Sequence, residues 1–165
     1  MHPAQRTAAA FSLALVMACA ATATFHSKNG RAYDRLTDRA VRCNENEAKT
    51  VVAAGGEAIG TIDARALSVR ADDDDVADKA AEEAAKSGGT HIVLTDKGVE
   101  YFTVTNPAVE QRHCTKEGRD VDCETTETPA TETTYAKPTA SFLVFRVPLT
   151  GWEKLPDSLR PSRPR

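Results

Sequence analysis

The sequence predicts an α+β fold: a small mixed sheet of four to five strands, one main alanine-rich helix packed on it, and a disulfide-stapled polar arm. Three observations predict it. Apolar residues between Val76 and Ser87 repeat at three and four, the spacing of one helix face. Segments at 58–70, 90–104 and 141–147 are rich in β-branched and aromatic residues, as strands are. Between the last two lies a long Thr/Glu-rich stretch holding Cys114 and Cys123. Hydrophobic residues make up 41% of the chain, but alanine supplies much of this and aromatics are only 5%. The core is therefore small, and a disulfide helps most in such a domain.

The chain opens MHPAQRTAAAFSLALVMACAATATF, with Arg6 before an uncharged run from Thr7 to Ala18. This is the layout of a secretory signal over residues 1–18, and it is too short to span a bilayer. A single domain is expected over 39–150, with its polar arm at 106–138. A lipid-anchored tether at 19–38 precedes it, and a basic, proline-rich tail at 151–165 follows.

Within the domain, a short strand is expected around Arg39 to Cys43. Asn44 with Glu47 three residues on predicts a capped helix from Glu45 to Ala54, ended by Gly55 and Gly56. Ala58 to Arg70 alternates on one parity at Ile62, Ala64 and Ala66 and on the other at Leu67 and Val69, which predicts a bulged strand. The four aspartates 72–75 lack the glycine and distal glutamate of a calcium loop and predict a helix cap and first turn. Gly88 and Gly89 end the helix that follows. Thr90 to Thr95 is expected as a strand buried on both sides. Asp96-Lys97-Gly98 is expected as a turn, and Val99 to Val104 as the return strand. Pro107 breaks the ladder, and Ser141 to Val147 is the last strong strand.

Cys114 and Cys123 lie nine apart around Lys116-Glu117-Gly118, which suits a staple across a hairpin in an oxidising compartment. Closing so short a loop contributes about 2–3 kcal/mol in the chain-entropy model. A metal reading of His113 and Cys114 lacks paired ligands, because Cys43, His91 and His26 are scattered singles. Cys43 is either a buried thiol or a competitor of Cys123 for Cys114.

Val16-Met17-Ala18-Cys19 resembles the lipobox of bacterial lipoproteins, in which the cysteine becomes the first mature residue and carries the lipid. Ala20 after it favours the outer membrane, by resemblance to the lipoprotein sorting pattern. Ordinary signal peptidase would instead cut after Ala20 or Ala23. More widely, Gly56, Ile59, Gly60 and Ile62, the run Ala80 to Ala85, Gly88 to Leu94, and Ser141 to Val147 resemble a group of small bacterial envelope lipoproteins. The outer-membrane stress sensor of the Rcs phosphorelay belongs to that group; it carries two disulfides in this region, where this sequence offers one pair. The resemblance implies a small α/β sheet displayed from a lipid anchor, without catalytic residues.

Taking Arg6 away from the 21 basic residues, against 24 acidic ones, leaves a net charge of about −4, which argues against a nucleic-acid partner. No G-x-S-x-G, H-E-x-x-H, P-loop or C-x-x-C motif is present. His91 is expected to be a satisfied structural histidine. The expectation is therefore a non-enzymatic envelope lipoprotein, with no cofactor and no metal. It would face the periplasm, hold the membrane through Cys19, and act as an interaction or sensor module toward an envelope protein through its arm or sheet edge. The rivals are a secreted enzyme or ligand-binding domain using Cys43 and His91, and a passive envelope structural component whose basic tail rests on acidic polymer.

Overall fold

The computed structural model describes residues 20–117 and 120–163. The signal segment 1–18, the lipidation site Cys19, Gly118 in the arm, and Pro164 and Arg165 of the tail lie outside the described residues.

Among the described residues the strands are β1 (Ala21–Ser27), β2 (Val41–Cys43), β3 (Glu57–Ala66), β4 (His91–Asn106), β5 (Val109–Glu117), β6 (Asp120–Thr128) and β7 (Thr131–Arg146). The helices are α1 (Glu45–Ala53) and α2 (Asp73–Lys86), and two 3-10 turns follow β7 at Leu149–Lys154 and Asp157–Leu159. One sheet has the order β1-β3-β7-β4-β2, and β5 pairs with β6 in a second. All pairings are antiparallel except that of β2 with β4. This is the mixed sheet, main helix and stapled arm that the sequence predicts.

Both helices start as their sequences require. Asn44 accepts from the backbone of Asn46 and Glu47, while Glu47 reaches back to the Asn44 N–H at 2.8 Å. Asp72 and Asp75 form the same reciprocal box on α2, at 2.9 and 3.1 Å. Gly88 ends α2 at φ +84°, a conformation that costs an L side chain energy. A Cβ there would also strike Tyr33. Arg146 locks this corner: its guanidinium lies over the Tyr33 ring and donates to the carbonyls of Asp34 (2.8 Å) and Gly88 (2.7 Å).

The sheet has two unequal cores. On one face Ile62, Ala64 and Ala66 of β3, Ile92 of β4, and Phe142 and Val144 of β7 meet α2 through Val76, Ala80, Ala81 and Ala84. On the other, Cys43, Val93, Phe145 and Val147 meet Val51 and Ala54 of the α1 region and Trp152, Leu155 and Leu159. That second cover reaches only part of the face.

Five expectations are corrected. The tether at 19–38 is not loose throughout, because Ala21–Ser27 is an edge strand in full register with β3. Ala21, Ala23 and Phe25 pack on the α2 side while Thr22, Thr24 and His26 face away, the period-two pattern of a half-buried strand. Asp96-Lys97-Gly98 is not a turn. β4 runs straight through it for 16 residues, absorbing Thr95 as a bulge between Leu94 and Asp96. Nor is the strand buried on both sides throughout, since burial stops after Val93 and Leu94 is 45% exposed. The tail is anchored rather than loose: Trp152, Leu155 and Leu159 are buried, and Gly151 lets the backbone pass against the Ala54 carbonyl. Arg160, one of the cations proposed to rest on acidic polymer, is engaged internally. It donates to the carbonyls of Trp152 (3.2 Å) and Leu155 (3.1 Å) and pairs with Asp157. A bulge also occurs in β3, between Ala58 and Gly60 rather than beyond Ala66, where the strand ends.

Candidate functional site

The arm begins where the body stops. β3 accompanies β7 only as far as Thr139, which faces Arg65. Beyond it β4 and β7 continue alone as a two-stranded ribbon, from Val99 opposite Pro138 to Asn106 opposite Thr131. β5 and β6 extend it, and Cys114 lies directly opposite Cys123, joined as a disulfide. At about 3.3 Å per residue, β4 alone is about 50 Å long, against five or six residues for an ordinary strand. The arm therefore starts earlier than residue 106. Phe102 stacks on its cross-strand neighbour Tyr135 at 5.4 Å, and Lys137 sits 4.3 Å over the Phe102 ring. The opposite face of the ribbon shows Val99 and Tyr101 to solvent, Tyr101 being 70% exposed.

A second feature, missed at the level of sequence, is the uncovered half of the sheet face that carries the Trp152 core. A shallow groove of about 520 Å³ crosses it, lined by Thr22, Thr24, His26, Asp63, Arg65 and Ser141 among others. Ser141 Oγ donates to Asp63 Oδ1 at 2.6 Å, and His26 Nε2 lies 3.3 Å from Asp63 Oδ2. The residue types match those of a hydrolytic triad, but the order does not: the carboxylate is in the middle. Among the described residues the imidazole makes no hydrogen bond to a hydroxyl, and a carboxylate is too weak a base to activate serine. As arranged, the trio can hold a polar ligand by hydrogen bonds. His26 and Asp63 are both more than half exposed, so the pair itself adds little stability. The signal that could have found this groove is the alternation of Thr22, Thr24 and His26.

The cysteines and histidines singled out from the sequence fall elsewhere. Cys43 is a free, buried thiol, and burial, with the nearby Glu47 charge, pushes its pKa up to about 12. So protonated a thiol is a poor nucleophile and metal ligand. His113 lies in β5, opposite Glu124. Among the described residues no group of three or more His, Cys, Asp or Glu side chains could hold a metal. Alkylation of the folded protein is expected to label none of Cys43, Cys114 and Cys123. Reduction should open the two arm cysteines, and only denaturation should expose the third; peptide mass mapping reads each stage.

His91 is fully buried in a closed hydrogen-bond chain. Its Nε2 lies 2.8 Å from the Leu159 carbonyl, which can only accept, so Nε2 carries the proton and Nδ1 accepts from Thr90 Oγ1 at 2.8 Å. Thr90 Oγ1 in turn accepts from the Val147 N–H at 2.9 Å. The neutral ring thus ties β4, β7 and the tail together and has no access to a substrate. Burial holds its pKa below the usual imidazole range, and the bond to Leu159 only partly offsets this. Below about pH 6.5 the unfolded chain takes a proton on this residue that the folded protein refuses, so stability falls with acidification. The loss from one such group is at most about 1.4 kcal/mol per pH unit. Urea unfolding at pH 7.5 and pH 5 should show it, and His91→Gln should flatten that slope.

Comparison of the chain with protein-family models, with curated proteins and with solved structures finds no match.

Proposed function

We propose that this chain is a non-enzymatic interaction or sensor module of the bacterial cell envelope. A lipid on Cys19 would hold it to the outer membrane, facing the periplasm, and its contacts would be with another envelope protein rather than with nucleic acid. The arm is the observation that carries this reading. A ribbon with few internal contacts is costly to order, because an isolated hairpin buries too little to be stable in water alone. This one is stapled near its far end and leaves Val99 and Tyr101 largely exposed to solvent. Such a construction suits contact with a second molecule. The signal layout, the lipobox and the resemblance to small envelope lipoproteins, the Rcs sensor included, support the location.

Two measurements test it. The intact mass of the mature protein from a membrane fraction should fit an acylated Cys19. A photocrosslinker at Tyr101 should capture a protein in intact cells, while one at exposed Lys49 on α1 should not. A lipid-free mature chain would remove the anchor from this reading, and an arm that captures nothing would remove the module.

The polar groove favours a second reading, a secreted ligand-binding domain. Native mass spectrometry would support it if a small molecule co-purified with the protein and was lost in Asp63→Ala.

A further inference from the structure

One edge of the arm is open and the other is blocked. Among the described residues, past Val93, β4 has β7 as its partner strand and none on the other side, because β2 pairs only with His91, Ile92 and Val93. The β7 edge is likewise without a strand beyond Thr139 among the described residues. Pro138 separates the two cases. It sits in unbroken register opposite Val99, and a proline has no N–H to give the ladder, so this pair is a non-hydrogen-bonded one. The backbone groups of both residues therefore turn out of the ribbon. On β7 the outward donor at the root of the arm is missing. On β4 the outward groups of Val99, and of Tyr101 two residues on, are intact.

Beside that open edge, on the α2 side, lies a pocket of about 220 Å³ lined by Ala77, Leu94, Ala140 and Phe142. It explains why Leu94, one strand repeat beyond the fully buried Ile92, remains 45% exposed. The ion pairs of Lys97 with Asp73 and of Arg42 with Asp74 flank it. Val99 and Tyr101 continue the apolar stripe along the same face of the ribbon.

We infer that the β4 edge from Leu94 to Tyr101 accepts an extended, basic segment of a partner protein as an added strand, with one bulky aliphatic side chain seated in this pocket. An unpaired edge asks for alternating N–H and C=O groups at strand spacing, which an extended polypeptide supplies. Charge selects its sequence. Asp96 and Glu100 on this strand have no ion pair among the described residues. Residues 99–138 carry eight acidic against four basic side chains. That excess favours a lysine- or arginine-rich segment and opposes edge-to-edge pairing with a second copy. The inference rests on the proposed interaction role and specifies its site and partner chemistry.

The probe is a synthetic peptide alternating lysine with valine and a single central leucine, titrated into the full chain at low and physiological salt. Hydrogen exchange should show protection at Val99 and Tyr101, and a peptide with glutamate in place of lysine should bind at least tenfold more weakly. Val99→Pro removes an outward N–H without touching the ladder to β7 and should weaken binding tenfold or more. Ala136→Pro, on the blocked edge, should leave it unchanged. Protection on the β7 edge, equal binding by Val99→Pro, no binding, or self-association along β4 without peptide would each overturn the inference. Were the peptide inactive while Tyr101 still crosslinked a partner in cells, the interaction role would stand and only this edge and chemistry would fall.

Discussion

Trp152→Ala is expected to lower stability by about 3–5 kcal/mol, the range for deleting a buried tryptophan from a core. The side chain is 6% exposed and plugs the smaller core between Val51, Phe145 and Leu159. Its indole Nε1 donates to the Val147 carbonyl at 3.1 Å, and truncation leaves that carbonyl without this donor. The wall beside it is stiff, since Gly151 already lies against the Ala54 backbone and cannot move inward. For a domain of this size the loss corresponds to a fall in Tm of order 10 °C. Differential scanning calorimetry checks it, and an unchanged Tm would restore the loose tail suggested by composition.

Ile62→Ala strikes the other core and is expected to cost about 2–5 kcal/mol. Ile62 is fully buried in the centre of β3, in register with Phe25 on β1 and Phe142 on β7. The helix face above it is alanine, whose side chains have no alternative rotamer with which to fill a void. The site therefore collapses poorly, and the cost should fall in the upper half of that range. Ile62→Val, one methyl smaller, should cost about 0.5–1.5 kcal/mol. Urea unfolding followed by circular dichroism gives both values, with the dependence on urea unchanged if the unfolded states are alike. The two cores lie on opposite faces, so the Trp152 and Ile62 losses should add. Natural domains are stable by only about 5–15 kcal/mol, so the double variant should be largely unfolded.

The elements that were legible in the sequence are those whose local signals agree with their packing. Asn44 with Glu47, and the aspartates before Val76, start helices where the sequence places them, because capping is local chemistry. The staple was legible from spacing and composition. What was not legible depended on partners far along the chain. Asp96, Lys97 and Gly98 look like a turn, yet β7 offers them partners 41 to 45 residues away, and Gly98 tucks against Thr139 in mid-strand. Small residues and a basic, proline-rich composition concealed the ordered roles of 21–27 and 149–159. The alternation of β1 and the spacing of Trp152, Leu155 and Leu159 were nevertheless there to be read. The groove could be assembled only by the register, which brings His26, Asp63 and Ser141 together from three strands.

The register of β1 also fixes which way the molecule would face. Thr22, Arg65, Thr139 and Gly98 form one row across the sheet, and the arm departs immediately beyond it. The first residue of β1 is therefore at the arm's end of the body, with the Trp152 plug toward the far end. A lipid on Cys19 would leave only Ala20 and Ala21 before that row, and both are held, since the Ala20 carbonyl accepts from the Leu67 N–H and Ala21 pairs with Ala66. The domain would then hang with its arm rooted beside the bilayer, sweeping along the membrane surface instead of reaching into the space beyond. Its partners would be proteins that share the same leaflet, and lengthening the segment before Ala21 should release it to others.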